Sequence, residues 1–306
     1  MPLSANLRGA LFMVISMAGF TLNDALSKVL LGSMGNGQLM LVRGIFATSA
    51  VLVLAWYSGA LAQPRQLLHP MVALRSVCEL LSTMTYLAAL SHMPLANVSA
   101  LMQALPLAIT VGAALFLGEM VGWRRWLGIC IGFTGVMIVV RPGYDGFNVY
   151  SLLMIACVSV CAVRDLSTRY IPTDTPSVLV SALTSTIVTI GGGLLIPITG
   201  GWQPMTGGDI GIAAAAAGLL LVGYQFIIMS TRVGDVSYIA PFRYTALLWA
   251  VLLGYLLFGD VPDTAMIIGA AIIVGSGLYT IYRERRAGRT QPVADTITPS
   301  MGVDGL

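Results

Sequence analysis

Residues Ile210–Ser230 read IGIAAAAAGLLLVGYQFIIMS, twenty-one consecutive residues without a charged side chain. About 20 apolar residues in a helix cross the ~30 Å hydrocarbon core of a bilayer, so this stretch predicts a transmembrane helix. Similar runs recur along the chain, and they are too long to be the alternating strands of a membrane barrel. The sequence therefore predicts an all-α membrane protein with ten transmembrane helices, at residues 8–31, 38–58, 69–91, 94–117, 123–141, 148–170, 178–198, 209–231, 236–258 and 262–282.

The composition excludes a large soluble domain. Of 306 residues, 57% are hydrophobic and only 9% are charged, whereas charged residues make up about 25% of soluble proteins. The formal net charge of +3 does not point to a nucleic-acid partner. The four cysteines lie in apolar runs, and no histidine or carboxylate joins them at a metal-binding spacing. We therefore expect a bilayer and a small-molecule substrate as partners, with no metal and no cofactor.

The positive charges predict the orientation of the chain, because cytoplasmic loops carry an excess of Lys and Arg. With both termini cytoplasmic, the outer side would hold only Lys28 and Arg141. The polar tail, residues 283–306, is predicted to be cytoplasmic and disordered. The inner side would hold Arg8, Arg65, Arg124, Arg125, Arg169, Arg232, Arg283, Arg285, Arg286 and Arg289.

The chain also repeats itself with an offset of 141 residues. This offset aligns Asp24 with Asp165 and Lys28 with Arg169. The repeat also aligns Gly118-Glu119 with Gly259-Asp260, and Gly128 with Gly269. Each unit holds five spans, and an odd number of spans makes the second unit enter the membrane upside down. We therefore predict two inverted five-helix repeats, residues 8–141 and 148–282, an architecture that recurs in secondary transporters.

Several motifs resemble the drug/metabolite transporter superfamily of EamA type. They are Pro94–Ala100, Leu117-Gly118-Glu119, Trp123-Arg-Arg-Trp126, Gly128 and Val140-Arg-Pro-Gly143, echoed in the second half by Ala240-Pro-Phe-Arg-Tyr244 and Gly259-Asp260. The resemblance covers about residues 8–282. It implies a ten-helix carrier of the bacterial inner membrane that works by alternating access between two inverted repeats.

Within this superfamily, three segments most resemble the bacterial riboflavin transporters. They are Asn23-Asp24, Val163-Arg-Asp165 and Ala240-Pro-Phe-Arg-Tyr-Thr245. This resemblance implies riboflavin uptake. Related members that export or exchange amino acids, S-adenosylmethionine, drugs or other metabolites keep the alternative substrates open.

Ionisable residues within spans are costly and usually face a cavity or a partner, so they are the candidate functional residues. Arg75 and Glu79 are one helical turn apart and can form an ion pair. The sequence leaves open whether this pair only fixes helix packing or also meets a polar substrate. The other ionisable residues are Asp24, Arg43, Arg164, Asp165 and Arg243 within the spans, with Lys28 and Arg169 nearer their ends.

The duplicated pairs Asp24/Lys28 and Asp165/Arg169 suggest two gates related by the repeat. Inversion places the first pair in the outer part of span 1 and the second in the inner part of span 6. The alternative is that Lys28 and Arg169 only extend to opposite membrane interfaces. We assign to gating or ion pairing the residues Asp24, Lys28, Arg43, Arg164, Asp165 and Arg169.

Arg243 is the leading candidate for substrate binding, because no acid lies near it in sequence. Pro241 precedes it and removes a backbone donor, which breaks the helix; Pro106 predicts a similar break near Gln103. A fixed guanidinium suits imide or carboxylate oxygens. Aromatic side chains could stack on a planar ring or simply pack between helices. The full substrate-binding set is Arg243, Tyr244, Gln103, Glu79, Arg75, Tyr86, Tyr224 and Trp249.

The motifs favour a secondary carrier over other membrane functions. No Walker A sequence and no H-E-x-x-H zinc motif is present. An intramembrane enzyme is a remote alternative, and a channel would need rings of pore-lining groups. Small-residue faces at Gly128–Gly132, Gly269 and Gly275–Gly277 predict close helix contacts. These faces would join spans 5 and 10 to each other or to a second chain in a homodimer.

Overall fold

The computed structural model describes residues 5–60, 69–118, 122–141, 149–172, 175–234 and 236–286. Within these residues the backbone forms twelve α-helices and no strand. The helices are α1 (Ala5–Leu31), α2 (Asn36–Tyr57), α3 (Pro70–Leu90), α4 (Leu95–Met102), α5 (Leu105–Phe116), α6 (Trp123–Val140), α7 (Tyr150–Thr168), α8 (Ser177–Leu195), α9 (Gly207–Val233), α10 (Val236–Ile239), α11 (Thr245–Phe258) and α12 (Thr264–Arg286), with a 3-10 helix, Ala240–Tyr244, between α10 and α11.

Among the residues that the structure describes, eight segments are long and apolar enough to cross a membrane. They are α1, α2, α4 with α5, α7, α8, α9, the 3-10 helix with α11, and α12. The remaining two predicted spans correspond to α3, which carries Arg75 and Glu79, and to the shorter α6. The prediction of an all-helical, multi-pass membrane protein is confirmed.

Both predicted helix breaks are present in the structure. The fourth span is divided at Gln103 and Ala104 into α4 and α5, next to Pro106. The ninth span contains the 3-10 helix, with Pro241 at its start. Proline lacks the amide proton that an unbroken α-helix would need at these positions.

Several predicted features lie at or beyond the edges of the described residues. The last helix continues to Arg286, four residues beyond the predicted boundary at 282. Residues 287–306 of the predicted tail lie outside the described residues, as do Glu119 of the predicted repeat, Arg65 of the predicted inner side and Pro142-Gly143 of the family motif.

Small residues bring the helices into close contact. The most extensive contacts join α1 to α9, α2 to α8, α3 to α7, and α6 to α12. A methyl group on Gly19 would lie 3.1 Å from the carbonyl oxygen of Leu219, and one on Gly37 would lie 2.7 Å from that of Gly192. Without a hydrophobic driving force in lipid, such close backbone packing stabilises helix pairs. Of the two pairings predicted for spans 5 and 10, the contact between α6 and α12 is observed.

We expect Gly269→Ala to lower the thermal stability of the purified protein. The added methyl group would lie 2.7 Å from the Gly135 carbonyl oxygen and 2.6 Å from a methyl group of Val139. Overpacking of this kind typically costs about 1–3 kcal/mol. Gly275→Ala on the same helix is the matched control, because no atom lies within 4 Å of its added methyl group. Equal unfolding temperatures for the two variants would contradict this account of the α6–α12 contact.

Candidate functional site

A cavity of about 360 Å³, lined by ionisable, hydroxyl and apolar side chains, lies between the helices. Helices α1, α2, α3, α4, α7, α8, α9 and α11 all contribute to its lining, so it draws on both halves of the chain. Its volume falls in the range of about 300–1,000 Å³ that is usual for small-molecule sites. We call it the main cavity.

A second cavity of about 230 Å³ adjoins the main one. The residues that line both cavities are Phe20, Arg75, Glu79, Met102, Gln103, Arg164 and Tyr224. The second cavity adds Asp165 and Thr168 from the end of α7, and Arg243 and Tyr244 from the 3-10 helix. The two cavities therefore share part of their lining and bring seven acidic and basic side chains into one region.

The two broken spans meet at this region. Gln103, at the end of α4, directs its side-chain Nε2 toward the carbonyl oxygen of Arg243 at 3.5 Å. Helix breaks expose backbone groups that a continuous helix would use internally, and in transporters such breaks commonly form substrate and ion sites. The structure thus brings together the two breaks that the sequence predicts separately.

Arg164 on α7 is the centre of a buried ion-pair network. Its Nη1 lies 3.2 Å from Glu79 Oε2, and its Nε lies 2.8 Å from Asp165 Oδ1. Arg75 Nη1 lies 3.8 Å from Glu79 Oε2. Glu79 therefore contacts two arginines, and the predicted Arg75–Glu79 pair both links helices and lines the cavities.

A second network links α1, α2 and α3. Tyr86 donates its hydroxyl to Asp24 Oδ2 at 2.7 Å, and Asn23 Nδ2 donates to Asp24 Oδ1 at 3.0 Å. Arg43 Nη1 donates to Asn23 Oδ1 at 3.1 Å and to Ser27 Oγ at 3.2 Å. The carboxylate of Asp24 and the guanidinium of Arg43 are thus connected through Asn23.

The duplicated acid–base pairs have other partners in this structure. Lys28 donates to the carbonyl oxygens of Leu90, at 3.0 Å, and of Met93, and lies 5.3 Å from the centre of the Phe258 ring. Asp24 contacts Tyr86, as described above. Arg169 is exposed at the end of α7, while Asp165 is buried beside Arg164. The gate hypothesis therefore stays a prediction, with different contacts in this conformation.

Three predicted substrate-binding residues, Arg243, Tyr244 and Trp249, differ in whether they face a cavity. Arg243 lines the second cavity. The ring of Tyr244 lines it too, but its hydroxyl lies against Gly277 of α12 and makes no hydrogen bond. Trp249 packs against a hydrophobic cluster that includes Met13 and Ile227, and it is not among the residues that line either cavity.

Sequence reasoning missed a row of hydroxyl groups in the main cavity. Five residues of α8 line this cavity, and all but Val188 carry a hydroxyl group: Ser181, Thr184, Ser185 and Thr189. We call these four residues the hydroxyl wall. Their spacing of i, i+3, i+4 and i+8 is that of one helix face, so the signal was present in the sequence. Thr48 of α2 lies opposite, with its Oγ1 2.8 Å from that of Thr189.

Apolar helices that enclose a cavity lined by ionisable side chains beside two broken helices define a membrane carrier of small solutes. Residues 7–141 match the model of the EamA-like transporter family. A riboflavin transporter of Rhizobium johnstonii is 31% identical over 216 residues, which cover 70% of this chain and 71% of that protein. An S-adenosylmethionine uptake transporter of Rickettsia felis is 23% identical over 293 residues, covering 93% of this chain and 96% of that protein. This chain belongs to the EamA-like transporter family of the drug/metabolite transporter superfamily.

The fold has a counterpart among solved structures. A protein of known crystal structure superposes on this chain with a TM-score of 0.56 at 20% sequence identity. The superposition covers 90% of this chain and 98% of the chain of that protein. At this identity the match shows a shared fold. The family assignment favours the carrier hypothesis over the enzyme hypothesis.

Proposed function

We propose that this chain is a secondary transporter of the bacterial inner membrane that takes up riboflavin by alternating access. Its two inverted five-helix repeats, residues 8–141 and 148–282, would move against each other around the cavities. Both termini would be cytoplasmic, as the distribution of positive charge predicts. The cavity chemistry carries the proposal, and several contacts support the repeat.

The contact between Thr48 and Thr189 supports the repeat directly. Their Oγ1 atoms are 2.8 Å apart, and the two positions differ by 141 residues, the offset of the repeat. A residue that contacts its own repeat mate lies at the axis that relates the two halves. Because both threonines line the main cavity, this axis would pass beside the site.

Two contacts further from this axis obey the same offset. Ser16 Oγ donates to the Gly223 carbonyl oxygen at 2.7 Å, and Cys157 Sγ donates to that of Ser82 at 3.4 Å. Adding 141 to Ser16 gives Cys157, and subtracting 141 from Gly223 gives Ser82. The α1–α9 contact and the α7–α3 contact thus use equivalent positions.

The α6–α12 contact follows the offset as well. Ser276 Oγ donates to the Gly128 carbonyl oxygen at 2.6 Å. Adding 141 to Gly128 gives Gly269, and subtracting 141 from Ser276 gives Gly135. A methyl group on Gly135 would lie 2.8 Å from the Gly269 carbonyl oxygen, so these two glycines are neighbours as the repeat requires.

The two ends of the bundle differ, which supports alternating access. At the Lys28 end, α4 packs against α11 and α12 through an apolar cluster that includes Ala96 and Ala100. The offset relates α4 to the 3-10 region and α11 to α5. At the other end, the equivalent elements, α5 and the 3-10 helix, do not close on each other in the same way: the second cavity lies between them, lined by Pro106 of α5 and by Ala240. We take this conformation to be closed at the Lys28 end, which is the predicted outer end, and open toward the inside.

The ionisable groups of the cavities favour a neutral or anionic substrate. The two cavities are lined by four arginines and by three acids, Asp24, Glu79 and Asp165. If all are ionised, one positive charge is in excess, and this excess disfavours S-adenosylmethionine, which carries two cationic groups and one carboxylate. The arginines are Arg43, Arg75, Arg164 and Arg243.

Aromatic rings add the surface that a planar substrate needs. Phe20, Tyr86 and Tyr224 all line the main cavity, and the rings of Phe20 and Tyr224 lie 5.1 Å apart, edge to face. Aromatic faces stack on planar rings, while guanidinium groups donate to imide oxygens. Riboflavin offers both features, and it is the substrate named for the Rhizobium johnstonii relative.

Growth of a riboflavin-auxotrophic bacterium tests the proposal. We expect this chain to restore growth at low external riboflavin, and to produce saturable uptake of riboflavin into membrane vesicles. Saturable uptake that accelerates when the far side is preloaded would distinguish a carrier from a channel. Failure of rescue by protein that reaches the membrane would contradict riboflavin uptake and favour one of the other metabolites.

A disulfide across the closed end is expected to block transport. A Cβ atom on Gly254 of α11 would lie 4.0 Å from the Cβ of Leu95 on α4, within the 3.5–4.5 Å range of disulfides. In a chain without its four native cysteines, oxidised L95C/G254C should lose uptake and recover it on reduction. Each single cysteine variant under the same oxidant is the control. Normal uptake by fully cross-linked protein would show that this end does not open.

A further inference from the structure

We propose that the hydroxyl wall of α8 is a subsite for a polyhydroxylated chain on the substrate. This inference rests on the proposed function, because the ribityl chain of riboflavin is a chain of this kind. The inference adds to the proposed function the place where the ribityl chain would bind and the residues that would contact it, apart from those that contact the flavin ring. Three observations lead to it.

The first observation is an asymmetry between repeat mates. The offset of 141 relates the four residues of the wall to Met40, Arg43, Gly44 and Thr48 of α2, and these also line the main cavity. The two helices therefore present the same backbone positions to the site. Only Thr48 among the α2 positions carries a hydroxyl group. Packing of α2 on α8 places both sets at the same interface, so packing alone does not explain why the hydroxyl groups are concentrated on α8.

The second observation concerns the protons of these hydroxyl groups. Thr189 Oγ1 donates to the Ser185 carbonyl oxygen at 2.8 Å. A hydroxyl has one proton, so Thr48 must be the donor in its 2.8 Å contact with Thr189. Lone pairs on both oxygens remain to accept from a ligand. The hydroxyls of Thr184 and Ser76 lie 3.0 Å apart and have two protons between them. Their mutual hydrogen bond uses one proton, so the other remains available for donation. Groups that both accept and donate suit the hydroxyls of a polyol.

The third observation is that the wall and the aromatic groups belong to different helices of the cavity lining. From Ser181 to Thr189 the wall extends about 12 Å along α8, at a rise of 1.5 Å per residue. This length accommodates an extended five-carbon chain. Phe20, Tyr86 and Tyr224, which would stack on the ring, belong to α1, α3 and α9. The cavity thus has one face for a planar ring and another for a hydroxylated chain.

Binding of riboflavin and lumiflavin tests the subsite, because lumiflavin has the same ring with a methyl group in place of the ribityl chain. Binding to the full chain in lipid nanodiscs can be followed by the quenching of flavin fluorescence. We expect the wild type to bind riboflavin about tenfold more tightly than lumiflavin. The double variant Thr184→Val with Thr189→Val should weaken riboflavin binding about tenfold and leave lumiflavin binding unchanged.

Thr186→Val is the matched control. Thr186 lies on the same helix and donates its hydroxyl to the Ala182 carbonyl oxygen at 2.7 Å, but it does not line the cavity. It should bind both flavins as the wild type does. Equal affinity of the wild type for both flavins, or equal weakening of both in the double variant, would overturn the subsite and leave flavin binding intact. If neither flavin binds the wild type, the proposed function fails and the subsite fails with it.

Discussion

Replacing Arg164 by methionine is expected to destabilise the protein by about 3–5 kcal/mol and to abolish transport. Arg164 is the partner of both Glu79 and Asp165, and the Asp165 side chain is only 7% exposed. Removing one partner of a buried ion pair leaves the other charge without compensation, which is among the most destabilising of single changes. Here one substitution removes the closest cation from two carboxylates.

The measurement is the unfolding temperature of the detergent-purified protein, together with the fraction recovered without aggregation. Arg169→Met is the matched control on the same helix. Arg169 is exposed, and an exposed charge typically contributes no more than about 1 kcal/mol. A double variant that also carries Asp165→Asn should regain part of the stability, because the amide needs no counter-charge and Glu79 keeps Arg75 as its cation. Wild-type stability in Arg164→Met would show that water or another group neutralises the two acids.

The spans and their breaks could be predicted from sequence because they are local properties. A run of about 20 apolar residues needs no partner to be recognised, and proline disrupts a helix wherever it occurs. Pro106 and Pro241 therefore indicated two breaks. The offset of 141 residues also predicts which helices are equivalent, although it could not predict which helices touch.

The partners of the buried charges could not be predicted, because they depend on how distant helices pack. Tyr86 is 62 residues from Asp24, and Glu79 is 85 residues from Arg164. Sequence spacing instead favoured the nearby cations, Lys28 and Arg169. Trp249 illustrates the same limit, since a large aromatic side chain suits a site and a packed cluster equally well, and only the structure shows which one it joins.

The hydroxyl wall was overlooked for a different reason. Ionisable residues attract attention within spans because they are costly there, whereas serine and threonine can satisfy their own hydroxyls along the helix. Thr189 does so with the carbonyl oxygen of Ser185. A hydroxyl row at helical spacing is therefore weak evidence in sequence. It gains meaning only when its face is seen to line a cavity.

Arg243→Ala is expected to reduce uptake at least about thirtyfold while leaving the amount of folded protein unchanged. Arg243 lines the second cavity from the 3-10 helix, and Asp165, which lines the same cavity, pairs with Arg164 at 2.8 Å. The guanidinium therefore has donors to offer a ligand. Truncating one partner of a buried charged hydrogen bond typically costs about 2–5 kcal/mol of binding. Unlike the loss of Arg164, this change leaves no carboxylate without its closest cation.

Initial uptake rates of riboflavin in vesicles, normalised to folded protein, measure the effect. Arg243→Lys should retain part of the activity, because it keeps the charge but loses the planar fork that matches paired oxygens. Arg141→Ala is the control outside the site: Arg141 pairs with Asp263 at the surface, so its loss should change uptake less than about twofold. Full uptake by Arg243→Ala would remove this residue from the substrate site. Unfolding comparable to that of Arg164→Met would assign it a structural role instead.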